Sequence, residues 1–542
     1  MLPHMRRLPL VLAAAVALAA APATAARADD SSTLTVVGTS DVYDSNLVQS
    51  VIKPGFEAAH PGITLNYVSK GTGAAISYAE AGTASALIVH AASLENQFVA
   101  GGYSAESYGR AIFYGDYVLV GRSADQAGVV ANAPHDIVGA FERIATAGAG
   151  GTANFVSRGG TPGTTVQEHA IWALTSGVTT CTVSAANGGG ASPSTTTGAC
   201  PSPIPYPSWY HATGLTQGPN LVNGDTCNYS GGGCYVFTDR GTYQYLTSTS
   251  AVSDLTIVTR DNAASAPGGA TLLVNSFHAY AVNPAAFSSD VAAGINLTGA
   301  RAFLDWLTSP EAQTAIGAYL SSDGSPPFLP DAAPRLQTVP LLTSVRANQA
   351  IAFGGTLRNV APGTPPLAGR SVDVLRQLPG EPAPHVVATT TTDSAGRYFL
   401  KLVPPGTARW SLRTAASSQV EDAALDPVFG DLLAPGTTVL GTVTVLGNPS
   451  PPSLSERSGS VRVVSRLAPV PSGVRGLARI YAAPEGQTPK QVTARWVEPG
   501  QTTLVAYVSL AKGRRWSVQV VYESSGTQFG RGRSEIRSLL VS

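Results

Sequence analysis

The sequence is short of the residues that most alternative readings would need. Its 542 residues include eight histidines, four cysteines and two methionines, and the charged fraction is 13% with no net charge. A neutral chain has no broad basic field with which to recruit nucleic acid or an anionic membrane, so any anion must be caught by local groups. The histidines are scattered. His90, His169, His211 and His278 lack a ligand partner at helical spacing, so no metal site is expected. There is no G-x-S-x-G elbow, no P-loop and no visible nucleophile–base set, so no catalytic residue is assigned and an enzyme is not expected. Asp239 beside Arg240 reads as a loop-ordering ion pair rather than an acid–base couple.

Long apolar runs are also absent after the first residues. Met1 to Ala28 combines Arg6 and Arg7, an apolar run from Leu8 to Ala21, and small residues at Ala23-Thr24-Ala25 and Ala26-Arg27-Ala28. That pattern is a secretory signal peptide cut after Ala25 or Ala28, with an apolar run too short to cross a bilayer. No cysteine lies near the cleavage site and no apolar tail closes the chain, so a secreted, extracytoplasmic protein without lipid anchor is expected.

The four cysteines, Cys181, Cys200, Cys227 and Cys234, fall in one region. An even count in an exported chain implies disulfides. Three pairings are possible; the sequential one, Cys181 with Cys200 and Cys227 with Cys234, closes glycine-, serine- or threonine-rich loops. A zinc site is the rival, but no C-x-x-C pair or histidine cluster accompanies these spacings.

A hydrophobic content of 44% is ample for packed cores, and a chain of this length should hold about three units. From Leu34 onward, β-branched runs alternate with segments of helical periodicity, such as Leu47, Val48, Val51, Ile52 and Phe56. Such order predicts an α/β domain with a doubly wound parallel sheet. Asp136 caps a helix marked by Ile137, Ala140, Phe141 and Ile144. Thr179 to Pro207, rich in Ser, Thr, Gly and Pro, reads as an irregular surface insertion. The α/β domain ends near 335. Beyond it, period-two alternation punctuated by Pro and Gly predicts two small all-β sandwich modules, at 340–448 and 458–542, with Asn448 to Ser460 as linker.

Three loops follow predicted strands and offer hydroxyls and free amides: Gly38-Thr39-Ser40, Gly71-Thr72-Gly73 and Ser157 to Thr164. In an open α/β sheet, ligands sit beyond the carboxyl ends of the strands, where helix N-termini supply unpaired N–H donors. Gly163 and Thr164 open the third helix, and the Arg158 fork can grip two oxygens of a tetrahedral anion.

Several stretches carry a resemblance. They are Phe56 to Ile63, Tyr67 to Gly73, Phe98 to Tyr103, Phe155 to Gly159, Phe237 to Tyr243 and Phe303 to Glu311. Together they resemble the tungstate- and molybdate-binding component of ABC transporters, a type II periplasmic solute-binding protein family, over roughly residues 33 to 333. The resemblance implies two lobes, I at about 33–120 and 260–335 and II at about 121–259, that close on a small oxyanion delivered to a transporter permease. It implies no cofactor beyond the bound tungstate or molybdate. Carried to matching positions, the ligand-binding residues are Thr39, Ser40, Thr72, Ser157, Arg158, Gly163, Thr164 and Arg240. The sequence departs from the family pattern at Gly38, where the first loop loses a threonine, and at Gly160 and Pro162, where Asp and Ser are usual. Thr391 to Tyr398 is similar to a turn of Ig-like or prealbumin-like modules, which implies spacer or adhesive contact with cell wall or other proteins. A cell-surface interaction protein built on the binding fold, with a weakened ligand site, is the alternative expectation.

Overall fold

The computed structural model describes residues 32–186, 195–321, 323–423 and 428–542; the signal peptide expected over 1–28 lies outside them. The first lobe is built on parallel strands. Ser32–Thr39 pairs with Ile63–Lys70 on one side and Ala86–Val89 on the other, and the register sets Thr39 opposite Lys70. Both chains therefore leave the sheet at the same edge, each straight into a helix. Val274–Ala281 then runs antiparallel between Ala86–Val89 and Gly109–Arg122.

Gly109–Arg122 joins the two lobes. Its first half, Arg110 to Asp116, pairs with Val274–Ala281, while Tyr117 to Gly121 pairs with Cys234–Asp239 in the second lobe. There Asn154–Ser157 lies parallel to Cys234–Asp239 and to Tyr210–Ala212. Ala86–Val89, Asn154–Ser157 and Cys234–Asp239 are buried at every position, as befits strands covered on both faces. Helix Leu297–Leu307 turns Ala300, Phe303, Leu304 and Leu307 to the core, the i, i+3, i+4, i+7 stripe of a surface helix. Asp136 caps helix Ile137–Ala149 by accepting from the Gly139 amide at 2.9 Å, as the sequence predicts.

The C-terminal region is all β. A three-stranded sheet (Arg335–Thr338, Ile351–Arg358, Arg397–Leu402) accompanies a five-stranded one running from Ser344–Arg346 to His385–Thr391. Phe353 of the first meets Trp410 of the second at 5.1 Å between ring centroids. A second set of sheets follows from Ser453 to Val541. Trp410, Val374, Val463 and Tyr522 belong to one continuous buried cluster, so the two sets share a core.

Several expectations change. Arg335–Thr338 pairs with Ile351–Arg358, so the β region begins at the expected end of the α/β domain. The expected linker contains a strand, Ser453–Arg457, because Ser460–Arg466 offers it an antiparallel partner. The expected irregular insertion contains a hairpin, Thr180–Ala186 with Thr195–Pro201, lodged against helix Gly163–Leu174. Its small and β-branched residues pair through their backbones and leave little apolar periodicity to see. Finally, a hairpin of the β region, Ser417–Asp422 with Phe429–Leu433, adds itself to the first lobe: Asp431 and Leu432 pair in parallel with Gly109 and Arg110.

Of the two expected disulfides, Cys227–Cys234 is formed. Cys181 and Cys200 face each other across the inserted hairpin with sulfurs 3.0 Å apart, as thiols.

Candidate functional site

The carboxyl ends of strands from both lobes meet at one cleft. Thr39 ends a first-lobe strand and Ser40 opens the helix Ser40–Asp44; Thr72 opens Thr72–Glu80; His90 follows Ala86–Val89. From the second lobe comes the loop 158–162 between Asn154–Ser157 and helix Gly163–Leu174. Gly159 and Gly160 have φ of +68° and +67°, the left-handed region that a β-carbon disfavours, so glycine rather than aspartate at 160 suits this turn. Pro162 is the N-cap residue, with φ −66°. It packs against the opposite lobe, since a β-carbon on Gly71 would lie 2.9 Å from its Cβ, and the Gly73 amide donates to the Thr161 carbonyl at 3.0 Å. A β-carbon on Gly163 would lie 2.5 Å from the His90 ring. Gly38 is accounted for likewise. The Tyr67 hydroxyl fills the space a side chain would need and donates to the Thr39 carbonyl at 3.0 Å.

Arg158 is 4% exposed. Its Nη2 donates to Ser40 Oγ at 3.0 Å across the cleft and its Nη1 to Gln217 Oε1 at 2.7 Å. The same Gln217 oxygen accepts from Thr164 Oγ1 at 3.1 Å, and Gln217 Nε2 donates to Thr238 Oγ1 at 2.6 Å. Thr72 Oγ1 and Asn275 Nδ2 are buried without a hydrogen bond of ordinary geometry, while the buried Thr39 hydroxyl is directed at Asp41. Buried polar atoms are nearly always satisfied, so such groups mark a place built for a polar ligand.

A second charged pair lies beside the first. His90 Nε2 stands 2.9 Å from Asp41 Oδ2, and its Nδ1 stands 2.7 Å from Asn275 Oδ1 and 2.9 Å from the Tyr117 hydroxyl. Burial alone would lower the His90 pKa, but the Asp41 charge and the hydrogen bonds outweigh it and the result is raised. Burial would raise Asp41, yet His90 holds it low. The pair is thus an internally neutral salt bridge. Asp239 is pushed up to about 7 by burial and then by Asp41, and burial lowers Arg158 although the Asp41, Asp239 and Asp44 carboxylates oppose the shift. With His90 paired to Asp41, Arg158 is the cationic group left facing the cleft, and Asp239 and Asp44 act on it from beside.

Thr39, Ser40, Thr72, Arg158, Gly163 and Thr164 all line this junction. Ser157 and Arg240 serve elsewhere. The Ser157 hydroxyl donates to Glu168 at 2.7 Å, and Glu168 itself is pushed up to about 7 by burial. Arg240 clasps Asp116 through Nε at 2.6 and 2.9 Å and gives its remaining nitrogens to Gln244, Ser325 and the Pro326 carbonyl. Gln217, Asp41, His90 and Asn275 escape sequence reasoning. Only His90, directly after a buried strand, and Asp41, next to Ser40, had a positional signal.

Two α/β lobes joined by a shared long strand, with polar groups of both meeting in a buried cleft, define a two-lobed binding protein. Residues 23–311 match the PBP superfamily domain, and the chain belongs to that superfamily. Its members of this kind are substrate-binding proteins, and the chain is not an enzyme. A Haloferax volcanii protein named as an ABC transporter anion-binding protein is 32% identical over 299 residues, 55% of this chain and 72% of its own. The tungstate-binding protein TupA of Peptoclostridium acidaminophilum is 30% identical over 296 residues, 54% of this chain and 84% of its own. Among solved structures, the tungstate-binding protein TupA of Desulfovibrio alaskensis G20 is 26% identical, covering 55% of this chain and 99% of that one with a TM-score of 0.38. The family match ends at residue 311, before the β region. Among the described residues no helix is long and apolar enough to cross a membrane.

Proposed function

We propose that the interlobe cleft captures a small tetrahedral oxyanion, tungstate or molybdate, outside the cytoplasm, and that the chain presents it to an ABC transporter. One observation carries this reading: a buried arginine, Arg158, shares the cleft with the buried hydroxyls of Thr39 and Thr72, of which Thr72 Oγ1 makes no hydrogen bond of ordinary geometry. An arginine fork supplies charge-assisted bonds, and hydroxyls with the N-terminal amides of helix Gly163–Leu174 supply neutral ones, a donor-rich set suited to a ligand that only accepts. Two relatives, one named as anion-binding and one as tungstate-binding, point the same way. Isothermal calorimetry of the full chain with tungstate, molybdate, sulfate and phosphate tests the proposal. Saturable binding of tungstate or molybdate well ahead of sulfate and phosphate is expected; heats indistinguishable from dilution for all four would overturn it.

A further inference from the structure

We propose that His278, Glu421 and Asp431 form a site for a divalent transition-metal cation of the zinc class at the seam between the first lobe and the docked hairpin. His278 belongs to Val274–Ala281, whereas Glu421 and Asp431 lie on the two strands of the hairpin that the β region adds to the lobe. One donor atom from each residue can be chosen so that none is more than 4.8 Å from another. His278 Nε2 stands 2.8 Å from Asp431 Oδ1, close to the roughly 3.2 Å between two ligands of a tetrahedral ion with bonds of about 2.0 Å. Glu421 is half-buried, so its flexible carboxylate can swing in to complete the set and leave a further position for water.

The surroundings suit a metal better than a simple ion pair. Glu95 Oε2 lies 2.9 Å from His278 Nδ1 and accepts from the Tyr280 hydroxyl at 2.7 Å. A carboxylate on Nδ1 fixes the tautomer whose Nε2 carries the lone pair, the arrangement found behind metal-bound histidines. Asp431 is 1% exposed; Asn359 Nδ2 donates to its Oδ2 at 3.0 Å, which leaves Oδ1 directed at His278 Nε2. Glu95, Asp331, Glu421 and Asp431 act electrostatically on one another and on His278. One imidazole and two carboxylates is a borderline donor set that suits zinc and its neighbours. No spacing rule could find it, because the ligands lie at 278, 421 and 431.

The metal would staple the β region to the binding lobe through the same strand that places Asn275 against His90. Its test uses the full chain, stripped with chelator, incubated with zinc alone and dialysed. One equivalent by elemental analysis and a zinc-dependent rise in melting temperature are expected. Glu421→Gln should weaken zinc binding at least tenfold and abolish the thermal shift. Asp431→Asn should do the same, and His385→Gln, at the exposed His385 near Glu381, should leave one equivalent bound. Should Asp431→Asn fail to fold, Glu421→Gln decides. Substoichiometric zinc in the parent chain, or zinc held equally well by Glu421→Gln, would overturn the proposal.

Discussion

Arg158 Nη2 of the second lobe donates to Ser40 Oγ of the first at 3.0 Å, so the charged group of the cleft is itself a bridge between lobes. Removing it takes away both the guanidinium charge and an interlobe contact. Arg158→Ala is expected to cost on the order of 2–5 kcal/mol of oxyanion binding, the range for truncating one side of a buried charged contact. Arg158→Lys should restore little, because a point charge cannot reproduce the fork. Thr164→Ala, which removes one hydroxyl, should cost only about 1 kcal/mol. Calorimetry with tungstate checks all three; undiminished affinity in Arg158→Ala would exclude this cleft.

The neighbouring His90 and Asp41 pair makes a separate prediction. His90→Gln leaves the Asp41 carboxylate buried and uncompensated beside Arg158, where it competes with the incoming anion. Oxyanion affinity should fall by roughly 1–3 kcal/mol, the cost of leaving a buried polar group unmatched. Adding Asp41→Asn should recover most of the loss, since the two act as a unit. Equal additive losses in single and double variants would show that the pair is structural only.

Much of the first domain is legible because many of its helices and strands keep their periods. Ile137, Ala140, Phe141 and Ile144, with Asp136 ahead of them, place a capped helix unambiguously. The site is legible where it sits at strand ends: Thr39, Ser40, Thr72, Arg158 and Thr164. It fails where a residue's role depends on a distant partner. Arg240 looks like an anion ligand until Asp116 claims it, and Gln217 looks like an ordinary helix start until it bonds Arg158 and Thr164. The docked hairpin is illegible for the same reason, since nothing local in Ser417–Leu433 says which sheet edge it will join.

The cysteines make a covalent prediction. Cys227–Cys234 closes a short loop, and breaking it with Cys227→Ala should cost about 2–3 kcal/mol on the loop-entropy account. Cys181 and Cys200 sit in register at 3.0 Å, so oxidation needs little movement. Mass mapping of the chain purified under oxidising conditions, without reduction, should find both pairs oxidised. Cys181 joined to Cys227 or Cys234 would contradict this arrangement.

Truncation at about residue 334 separates binding from stability. Every cleft residue precedes that point, so tungstate affinity should be retained. The hairpin, however, seats Phe429 on the His278 ring at 5.2 Å and Asp431 on its Nε2. Its loss bares Glu95 and His278, and the melting temperature of the truncated chain should drop, by about 2 °C for each 1 kcal/mol lost in a domain of this size. A truncated chain as heat-stable as the same domain within the full protein would show that docking contributes nothing.

The pH dependence of binding follows from Asp239. Its carboxyl is pushed up to about 7, first by burial and then by Asp41, and its charge acts on Arg158. The sign for stability runs against alkali. An acid raised from an unfolded value near ~4 keeps its proton in the folded state between about pH 4 and 7, so its contribution is greatest at or below the lower figure and is lost as pH rises through the upper one. The sign for binding is the same. Below pH 7 Asp239 is largely neutral and adds no negative charge beside Arg158; above pH 7 the new carboxylate partly cancels the Arg158 charge and repels the ligand. Tungstate affinity should therefore decline from pH 6.5 to 8.5, by less than about tenfold per unit, the limit for one coupled proton. Asp239→Asn should flatten the profile while preserving the helix, because asparagine can replace the cap that Asp239 Oδ1 now provides to the Thr242 amide at 2.8 Å. A profile of unchanged slope in Asp239→Asn would assign the proton to another group.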